Sequence, residues 1–331
     1  MIWRDRQGRE VPGDGGQDRL LEWMYGTAPG RCLAGLLIRP WVSRAAGRLM
    51  DSRLSSLAVK PFIKSKHIDM GDFEQRPYRS FNDFFTRRVR EGCRQVDQQP
   101  SHLIAPCDSK LTVYPIGADS RFTIKGVAYT LEGLLRDEAL AQQFLGGTLL
   151  LFRLTVGDYH RYCYVDSGYL GPERHIQGVY HTVNPAAASR YPIYRENTRE
   201  YALLESDHFG SLLQLEVGAT MVGRIVNAPA ERRVERGREK GRFEFGGSTV
   251  IVLLPKGAAV IDEDILRNTR EDAETVVRLG EKIGTKERRA SPFLFFVPFE
   301  KRVDEPGKLS YVRWCKKLRS AKETAYVTFY E

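Results

Sequence analysis

The segment Gly241-Arg-Phe-Glu-Phe-Gly-Gly-Ser-Thr-Val-Ile-Val-Leu-Leu254 determines the interpretation of this chain. Its apolar residues predict a strand, which Gly246-Gly247 interrupt directly before Ser248. Because glycine adopts backbone conformations that other residues avoid, we expect the Ser248 hydroxyl to reach the carbonyl carbon of Gly247. The segment therefore predicts a chain that attacks its own backbone.

Such an attack has a defined chemical outcome. The acyl group of Gly247 moves from nitrogen to oxygen, and loss of the Ser248 α-proton from the resulting ester then breaks the chain. Ser248 becomes a dehydroalanine, which hydrolyses to an N-terminal pyruvoyl group. Because a pyruvoyl carbonyl condenses with amines and accepts electrons from a departing carboxylate, this chemistry indicates amino-acid-type decarboxylation. A glycine pair inside a strand is also typical of a bulge or bend, and these residues alone leave that alternative open.

The composition of the 331-residue chain is typical of a folded soluble protein, with 42% apolar and 28% charged residues. Five scattered cysteines without a Cys-x-x-Cys pair predict neither disulfides nor structural zinc, so we expect no metal and a reducing, cytoplasm-facing location. No apolar stretch approaches the roughly 18 residues that span a bilayer, and the N-terminus lacks the apolar core of a secretion signal. We therefore expect a protein that is neither secreted nor membrane-spanning.

Positive charge is concentrated in residues 31–66. This segment carries eight basic residues against Asp51 alone, in a chain whose formal net charge is +9. Large apolar residues such as Trp41 and Leu49 lie between the basic ones, a mixture typical of helices at a membrane surface, with an interruption at Pro40. Each basic residue near anionic headgroups contributes about 1 kcal/mol of attraction. The alternative is a helix pair packed on the protein's own core, and no recognised motif supports a nucleic-acid partner.

The hydrophobic period changes along the chain. Residues 1–90 are mainly helical in pattern, whereas short β-rich runs separated by Gly, Pro, Asp and Asn turns follow from Leu103, interrupted by one helical pattern at 131–144. The predicted fold class is α+β, a β-rich catalytic body with a helical N-terminal layer. We divide the chain into a basic, membrane-associating helical region (1–90), a β-rich pyruvoyl decarboxylase domain (91–290) and a C-terminal extension without an assigned role (291–331).

Three further segments place polar residues in strand-like surroundings, at 105–110, 157–168 and 180–186. An Asp and a His next to Ser248 would supply the base that activates its hydroxyl, with the carboxylate fixing the imidazole tautomer. Asp108, His160 and Ser248 are therefore the candidate catalytic residues.

Seven motifs follow one another along the chain: Phe81-Asn-Asp-Phe-Phe-Thr-Arg87, Pro106-Cys-Asp-Ser109, Asp158-Tyr-His-Arg161, Thr182-Val-Asn-Pro185, Glu196-Asn-Thr-Arg-Glu200, Val217-Gly-Ala-Thr-Met-Val-Gly-Arg224 and Phe245-Gly-Gly-Ser-Thr249. In this order and approximate spacing the chain resembles the phosphatidylserine decarboxylases, over roughly residues 70–285 and including Gly280-Glu-Lys-Ile-Gly284. Seven ordered motifs are hard to obtain by chance, although any one of them alone would be unconvincing.

The resemblance implies a proenzyme that cuts itself between Gly247 and Ser248, assisted by Asp108 and His160. The products would be a β chain of residues 1–247 and an α chain whose N-terminal pyruvoyl group, the covalent cofactor, derives from Ser248. The mature enzyme would form a Schiff base with the serine amine of phosphatidylserine, release carbon dioxide and yield phosphatidylethanolamine, a step of phospholipid biosynthesis. The implied partner is an anionic phospholipid membrane, and the implied location is peripheral, on the cytoplasmic face of the cell membrane.

The chain departs from the family pattern at Cys163. Many members carry His-Arg-x-His, and here Cys163 replaces the second histidine while His160 remains. A thiolate is a base, but an unperturbed thiol is mostly protonated at neutral pH, and a strand cysteine is more often a small buried apolar residue. We assign the proton transfer to His160 and leave the role of Cys163 open.

Four more polar residues are candidates for substrate binding. We expect His181 to line the substrate pocket, and Asn184, Asn197 and Arg199 to contact oxygens of the headgroup. For the two asparagines, a buried and hydrogen-bonded structural role fits the sequence equally well. Arg199 is the better candidate for a carboxylate or phosphate contact.

Three rival functions use the same residues. A Ser-His-Asp hydrolase would keep Ser248 in an intact chain and normally follow it with a helix, whereas residues 250–254 are strand-like. An uncleaved lipid-surface binding protein would bind anionic vesicles and release no carbon dioxide. A pyruvoyl enzyme acting on a soluble amino acid would not need the basic, apolar segment 31–66. The sequence leaves the oligomeric state open, with a homodimer as one option.

Overall fold

The computed structural model describes residues 2–12, 15–219, 224–229, 232–245 and 248–287. The three longest helices lie before residue 90 and strands dominate after it, so the predicted α+β class with a β-rich body is confirmed. Gly247 and residues 291–331, which the sequence analysis assigns to the cleavage site and to a C-terminal extension, lie outside the described residues.

Local sequence signals set the limits of the N-terminal helices. The Thr27 hydroxyl accepts a hydrogen bond from the Gly30 amide at 3.1 Å and caps one helix, and the Ser80 hydroxyl caps another through the Asp83 amide. Pro40 begins a third helix, at a position where a missing N–H has no intrahelical partner to lose. The helices are α1 (Gly15–Gly26), α2 (Ala28–Leu37), α3 (Pro40–Asp51), α4 (Val59–Ser65), α5 (Phe81–Phe85), α6 (Leu131–Leu135), α7 (Glu138–Gln142), α8 (Pro185–Ala188), α9 (Ile193–Glu196) and α10 (Glu263–Arg270), with a 3₁₀ helix (Arg53–Ala58) between α3 and α4.

The strands are β1 (Ile2–Arg4), β2 (Glu10–Val11), β3 (His102–Ile104), β4 (Ser109–Pro115), β5 (Arg121–Ile124), β6 (Val127–Thr130), β7 (Thr148–Leu154), β8 (Arg161–Cys163), β9 (Gly168–Leu170), β10 (Arg174–Ile176), β11 (Arg199–Ser206), β12 (Gly210–Val217), β13 (Ile225–Asn227), β14 (Arg233–Val234), β15 (Glu239–Phe243), β16 (Ser248–Leu254), β17 (Ala259–Ile261), β18 (Ala273–Val277) and β19 (Lys282–Lys286). Eleven of them form the main sheet in the order β14-β9-β11-β12-β16-β7-β4-β18-β1-β2, with β10 paired to β11. Three small sheets, β13-β15-β8, β17-β19-β3 and β5-β6, complete the β structure of the described residues.

The N-terminal end differs from the predicted helical layer. β1 pairs in parallel with β18, with Ile2 opposite Ala273, so residues 2–4 belong to the main sheet. A three-residue strand is too short to show a period in the sequence, which is why the pattern missed it. The chain up to Glu287 clusters as one compact unit that includes the N-terminal helices.

β16 lies at the centre of the main sheet, between β12 and β7, and is buried at every position. The small sheet β13-β15-β8 covers one face, where Gln214 of β12 donates a hydrogen bond to the carbonyl of Cys163. Helix α6 covers the other face, where Arg199 of β11 donates to the carbonyl of Leu134. Burial on both faces explains the nearly continuous apolar run of β16.

A second apolar cluster connects α5 to the segment before β16. It contains Val59 and three phenylalanines of α5, among them Phe81 and Phe85. Phe245 packs against it, with its ring 4.9 Å from Phe81 and 5.3 Å from Phe85 between centroids. The predicted Phe81-Asn-Asp-Phe-Phe motif therefore anchors the chain three residues before Ser248.

The helical segment from α2 to the 3₁₀ helix, here called the helical arm (residues 28–58), leaves large apolar side chains in solvent. Leu54 and Leu57 are 78% and 77% exposed, and the others are Leu33, Leu36, Trp41 and Leu49. Within the described ranges, no helix combines the length and the apolar character that crossing a bilayer requires.

Candidate active site

Ser248 is the first residue of β16 and is completely buried. Its hydroxyl oxygen has no hydrogen-bond partner among the described residues. Side chains alternate along a strand, so Ser248 lies on the same face as Val250 and, through the pairing of Val250 with Glu216, as Glu216. This is the face covered by β8 and β15. A buried serine hydroxyl without a partner is unusual in a structural role and is consistent with a reactive group.

His160 lies immediately before β8, in the layer that covers this face. Its Nδ1 is 2.9 Å from the carbonyl oxygen of Asp158. A carbonyl only accepts hydrogen bonds, so Nδ1 carries the proton and Nε2 keeps its lone pair, which has no partner among the described residues. Burial lowers the pKa of His160 to about 3, against the smaller opposing effect of Asp158. His160 is therefore a neutral imidazole with a free proton-accepting nitrogen.

Asp108 does not orient this imidazole, contrary to the prediction from the sequence. Its carboxylate forms an ion pair with Arg94, with a shortest distance of 2.7 Å, and accepts a hydrogen bond from the Leu279 amide at 2.8 Å. The carbonyl of Asp158 fixes the tautomer instead. The sequence suggested a carboxylate because that is the usual partner of the histidine in a triad. Every residue has a backbone carbonyl, so residue type cannot show which carbonyl bonds the imidazole.

The carboxylate of Asp158 stabilises the loop that presents His160. Burial alone would raise its pKa, but the Lys110 ammonium at 2.6 Å and hydrogen bonds from Thr155 hold that pKa below its usual value. Asp158 is therefore ionised and fixed, and its backbone carbonyl is fixed with it.

Cys163, at the end of β8, is a free and buried cysteine. Burial raises the pKa of its thiol to about 12. The group is therefore a protonated thiol at neutral pH and is not a base there.

Two residues of the Phe81-Asn-Asp-Phe-Phe motif contact the site, although the sequence analysis gave them no role. Asn82 accepts a hydrogen bond from the Phe245 amide at 3.1 Å and donates to Asp51 at 2.8 Å. The ring of Phe85 lies against His160, with 3.9 Å between centroids. The motif thus positions both the imidazole and the chain that leads to Ser248.

Arg87 was also missed and is completely buried. Its Nη2 donates to the carbonyls of Gly157 at 2.9 Å and Asp158 at 3.1 Å, so it shares the Asp158 carbonyl with His160. Burial lowers the pKa of Arg87 to about 10, which still leaves it charged at neutral pH. An arginine in a Phe-Thr-Arg sequence gives no indication of this contact, because Gly157 and Asp158 are some 70 residues further along the chain.

Asn197 connects His181 to the centre of the sheet. Its side chain accepts from the His181 amide at 2.8 Å and donates to the carbonyls of His181 at 2.7 Å and Gly218 at 2.8 Å. Continuing the register of β12 and β16 by one residue brings Gly218 opposite Ser248. Asn197 therefore has the structural role that the sequence left open, and it places His181 near the site.

His181 lines a pocket of about 570 Å³ together with Ile38, Arg136, Arg195 and Glu196. Its Nε2 is 3.4 Å from the Glu196 carboxylate, and burial lowers its pKa despite that carboxylate. The pocket begins where α2 ends, at Ile38, and two arginines face it. It combines positive charge with a position beside the helical arm.

Arg199 and Asn184 have structural contacts. Arg199 is completely buried and donates to the backbone carbonyls of Gly133, Leu134, Arg195 and Asn197. Asn184 opens α8, where its carbonyl accepts from the Ala188 amide. The Arg199 guanidinium is thus hydrogen-bonded to backbone carbonyls, which argues against the expected contact with a carboxylate or phosphate.

Comparisons with known proteins agree with this site. The family model described as phosphatidylserine decarboxylase matches residues 81–285. The chain is similar to phosphatidylserine decarboxylase proenzyme 2 of Clostridium acetobutylicum, 43% identical over 80% of this chain and 91% of the relative. It is also similar to the phosphatidylserine decarboxylase proenzymes of Ruminiclostridium cellulolyticum (40% identical, 80% and 91% covered) and Clostridium novyi (38% identical, 81% and 93% covered).

These matches and the site define a carboxy-lyase of the self-processing kind. The chain belongs to the phosphatidylserine decarboxylase family. The family indicated by the seven motifs is therefore confirmed. The Ser-His-Asp hydrolase is not favoured, because Ser248 begins a strand and its candidate Asp108 pairs with Arg94.

Proposed function

We propose that this protein is a pyruvoyl-dependent phosphatidylserine decarboxylase that cuts its own chain between Gly247 and Ser248. The observation that carries the proposal is a pair of buried, unpartnered groups, the Ser248 hydroxyl of the main sheet and His160 Nε2 of the layer that covers it. Neither atom has a structural hydrogen bond among the described residues to give up before it reacts. Both are consistent with the chemistry that the word proenzyme implies for the relatives.

His160 supplies the base in this proposal. The Asp158 carbonyl holds the proton on Nδ1 of the neutral imidazole, which leaves the lone pair on Nε2. Nε2 takes the α-proton of Ser248 from the ester that the acyl shift forms, and Gly247 leaves as a carboxylate. Phe85 and Arg87 keep this imidazole dry and in place.

The cofactor that follows is made from Ser248 itself. A pyruvoyl group condenses with a substrate amine and accepts the electron pair that a departing carboxylate leaves behind. The surroundings fit such a group, because the Ser248 position is fully buried and its hydroxyl oxygen lacks a partner among the described residues.

The substrate reaches this position, in our proposal, from the pocket lined by His181. Arg136 and Arg195 carry the charge that suits the phosphodiester or carboxylate of phosphatidylserine. The helical arm passes this pocket at Ile38, where α2 ends, and provides basic and exposed apolar side chains for an anionic bilayer. The protein therefore works as a peripheral protein on a membrane surface, with both chains of the precursor in one enzyme.

The test of this function compares substrates. We expect the wild-type protein to release carbon dioxide from vesicles that contain phosphatidylserine and to leave free serine and aromatic amino acids unchanged. Ser248→Ala should remain one chain and release none, whereas Ser211→Ala, a serine variant elsewhere in the main sheet, should behave as the wild type. Carbon dioxide from Ser248→Ala would contradict the proposed cofactor, and release from free amino acids alone would contradict the proposed substrate.

A further inference from the structure

A second ionisable pair lies beneath the small sheet, in the same layer as Ser248. Glu216 of β12 and Lys240 of β15 are both completely buried, and Lys240 Nζ is 2.7 Å from Glu216 Oε2. The other carboxylate oxygen, Oε1, has no partner among the described residues. A buried ion pair costs desolvation and is weak evidence for stability, so an incompletely satisfied one needs another explanation.

Strand register places Glu216 next to Ser248. Glu216 is directly opposite Val250, and Val250 is two residues after Ser248 on the same face of β16. Glu216 and Ser248 are therefore diagonal neighbours across β12 and β16, a separation of about 7 Å that a long side chain can span. Oε1 of Glu216 and Oγ of Ser248 are both buried and unpartnered in this layer.

Chain cleavage requires two separate proton transfers. The hydroxyl proton of Ser248 must leave when Oγ attacks Gly247, and the α-proton of Ser248 must leave when the ester breaks. His160 provides one proton-accepting nitrogen. Cys163, at the position where many relatives have a second histidine, is a protonated thiol and does not provide another. With His160 occupied by the second transfer and Cys163 protonated, the first transfer needs another acceptor.

We propose that Glu216, held by Lys240, carries the proton in the first step of self-cleavage. Its Oε1 takes the proton of the Ser248 hydroxyl while Oγ forms a bond to the carbonyl carbon of Gly247. As the bond between that carbon and the nitrogen of Ser248 breaks, Glu216 returns the proton to the nitrogen. The products are an ester and an amine, and the carboxylate ends as it began. This inference rests on the proposed cleavage between Gly247 and Ser248.

The electrostatic surroundings suit a carrier that both accepts and returns a proton. Burial raises the pKa of Glu216 to about 7, with the Lys240 ammonium as the largest opposing effect. Such a value is close to the optimum for proton transfer at neutral pH. The groups that face the carboxylate from the surrounding elements are Lys240 of β15, Glu173 before β10, Glu200 of β11 and Tyr162 of β8. His160, with a pKa of about 3, stays neutral throughout the neutral range.

The test follows the cutting of freshly synthesised precursor by mass spectrometry between about pH 5.5 and 9. If Glu216 is the acceptor, its ionised form is required, so the wild-type rate should rise with pH through about 7. Glu216→Gln should cut itself at about one hundredth of the wild-type rate or below, and its rate should not show that inflection. Lys240→Met removes the stabilising cation, raises the pKa of Glu216 further and should shift the inflection to higher pH. Glu205→Gln, an exposed glutamate of the same sheet, is the matched control and should cut as the wild type does.

The double variant Glu216→Gln with Lys240→Met separates chemistry from structure. It removes both buried charges at once. If the pair is merely structural, this replacement should leave the cutting rate unchanged. Circular dichroism reports whether the chain is folded. We expect a folded chain that still cuts slowly. A double variant that cuts at the wild-type rate would overturn the role of Glu216 but not the cleavage proposal. The same holds for Glu216→Gln with an unchanged rate and inflection. An uncut wild-type chain would overturn the cleavage proposal, and this inference with it.

Discussion

At the scale of single residues, burial has opposite consequences for the two side chains of the His-Arg-x-Cys motif. Burial lowers the pKa of His160 and raises that of Cys163, and both groups are therefore neutral at physiological pH. A neutral imidazole retains a lone pair that accepts protons, whereas a neutral thiol does not act as a base. The same environment thus keeps the imidazole unprotonated, with its lone pair available, and keeps the thiol protonated.

We predict that Cys163→Ala still cuts itself in two at close to the wild-type rate. The thiol is protonated and buried, so its removal takes away a small packing contact and no base. The measurement is the fraction of cut chain over time by gel electrophoresis. Cys107→Ala, which removes another buried thiol, is the control for lost packing. A folded Cys163→Ala chain that stays whole, beside a Cys107→Ala chain that is cut, would contradict this account of the site.

Residue type alone predicted some of the site. Ser248 and His160 became candidates because a glycine pair before a serine and a histidine in a polar segment are local features. The roles of Asp108 and Arg199 were predicted differently from what the structure shows, since an ion pair with Arg94 and hydrogen bonds to distant carbonyls depend on tertiary contacts. Asn82 and Arg87 could not be assigned for the same reason.

At the scale of elements, the helical arm combines two features that the sequence predicted together. Its helices carry basic side chains, and each of its three helices, α2, α3 and the 3₁₀ helix, also exposes large apolar residues. Leu54 and Leu57 of the 3₁₀ helix are the most exposed large apolar side chains in the described part of the chain. Exposed leucines beside arginines and lysines are typical of a surface that inserts into an anionic interface.

We predict that Leu54→Ser with Leu57→Ser weakens binding to phosphatidylserine-containing vesicles about tenfold or more, because two leucines lose their transfer into the bilayer. Vesicle sedimentation measures the bound fraction. Raising the salt concentration from about 0.1 M to about 0.5 M should weaken binding of the wild type by screening the basic residues.

Val260→Ser is the matched control for this double variant, because Val260 is 52% exposed and lies outside the helical arm, on β17. It should bind vesicles as the wild type does. Equal binding by the double variant and the wild type would show that the arm does not insert, and salt-independent binding would remove the electrostatic part of the proposal.

At the scale of the whole molecule, the arrangement of strands explains what sequence patterns could and could not predict. The α+β class and the apolar run of β16 follow from local periodicity. The order of the main sheet does not, because it places β16 between β12 and β7 and adds β1 from the N-terminus beside β18. That order is what brings Glu216, Ser248 and the small sheet with His160 into one layer.

The most direct test of the central claim is the mass of the purified wild-type protein under denaturing conditions. The account predicts two chains, residues 1–247 and residues 248–331. The second should be lighter than a chain with an N-terminal serine by the mass of ammonia, as a pyruvoyl group requires. One unbroken chain of 331 residues would contradict self-cleavage. Two chains with an N-terminal serine on the second would contradict formation of the cofactor.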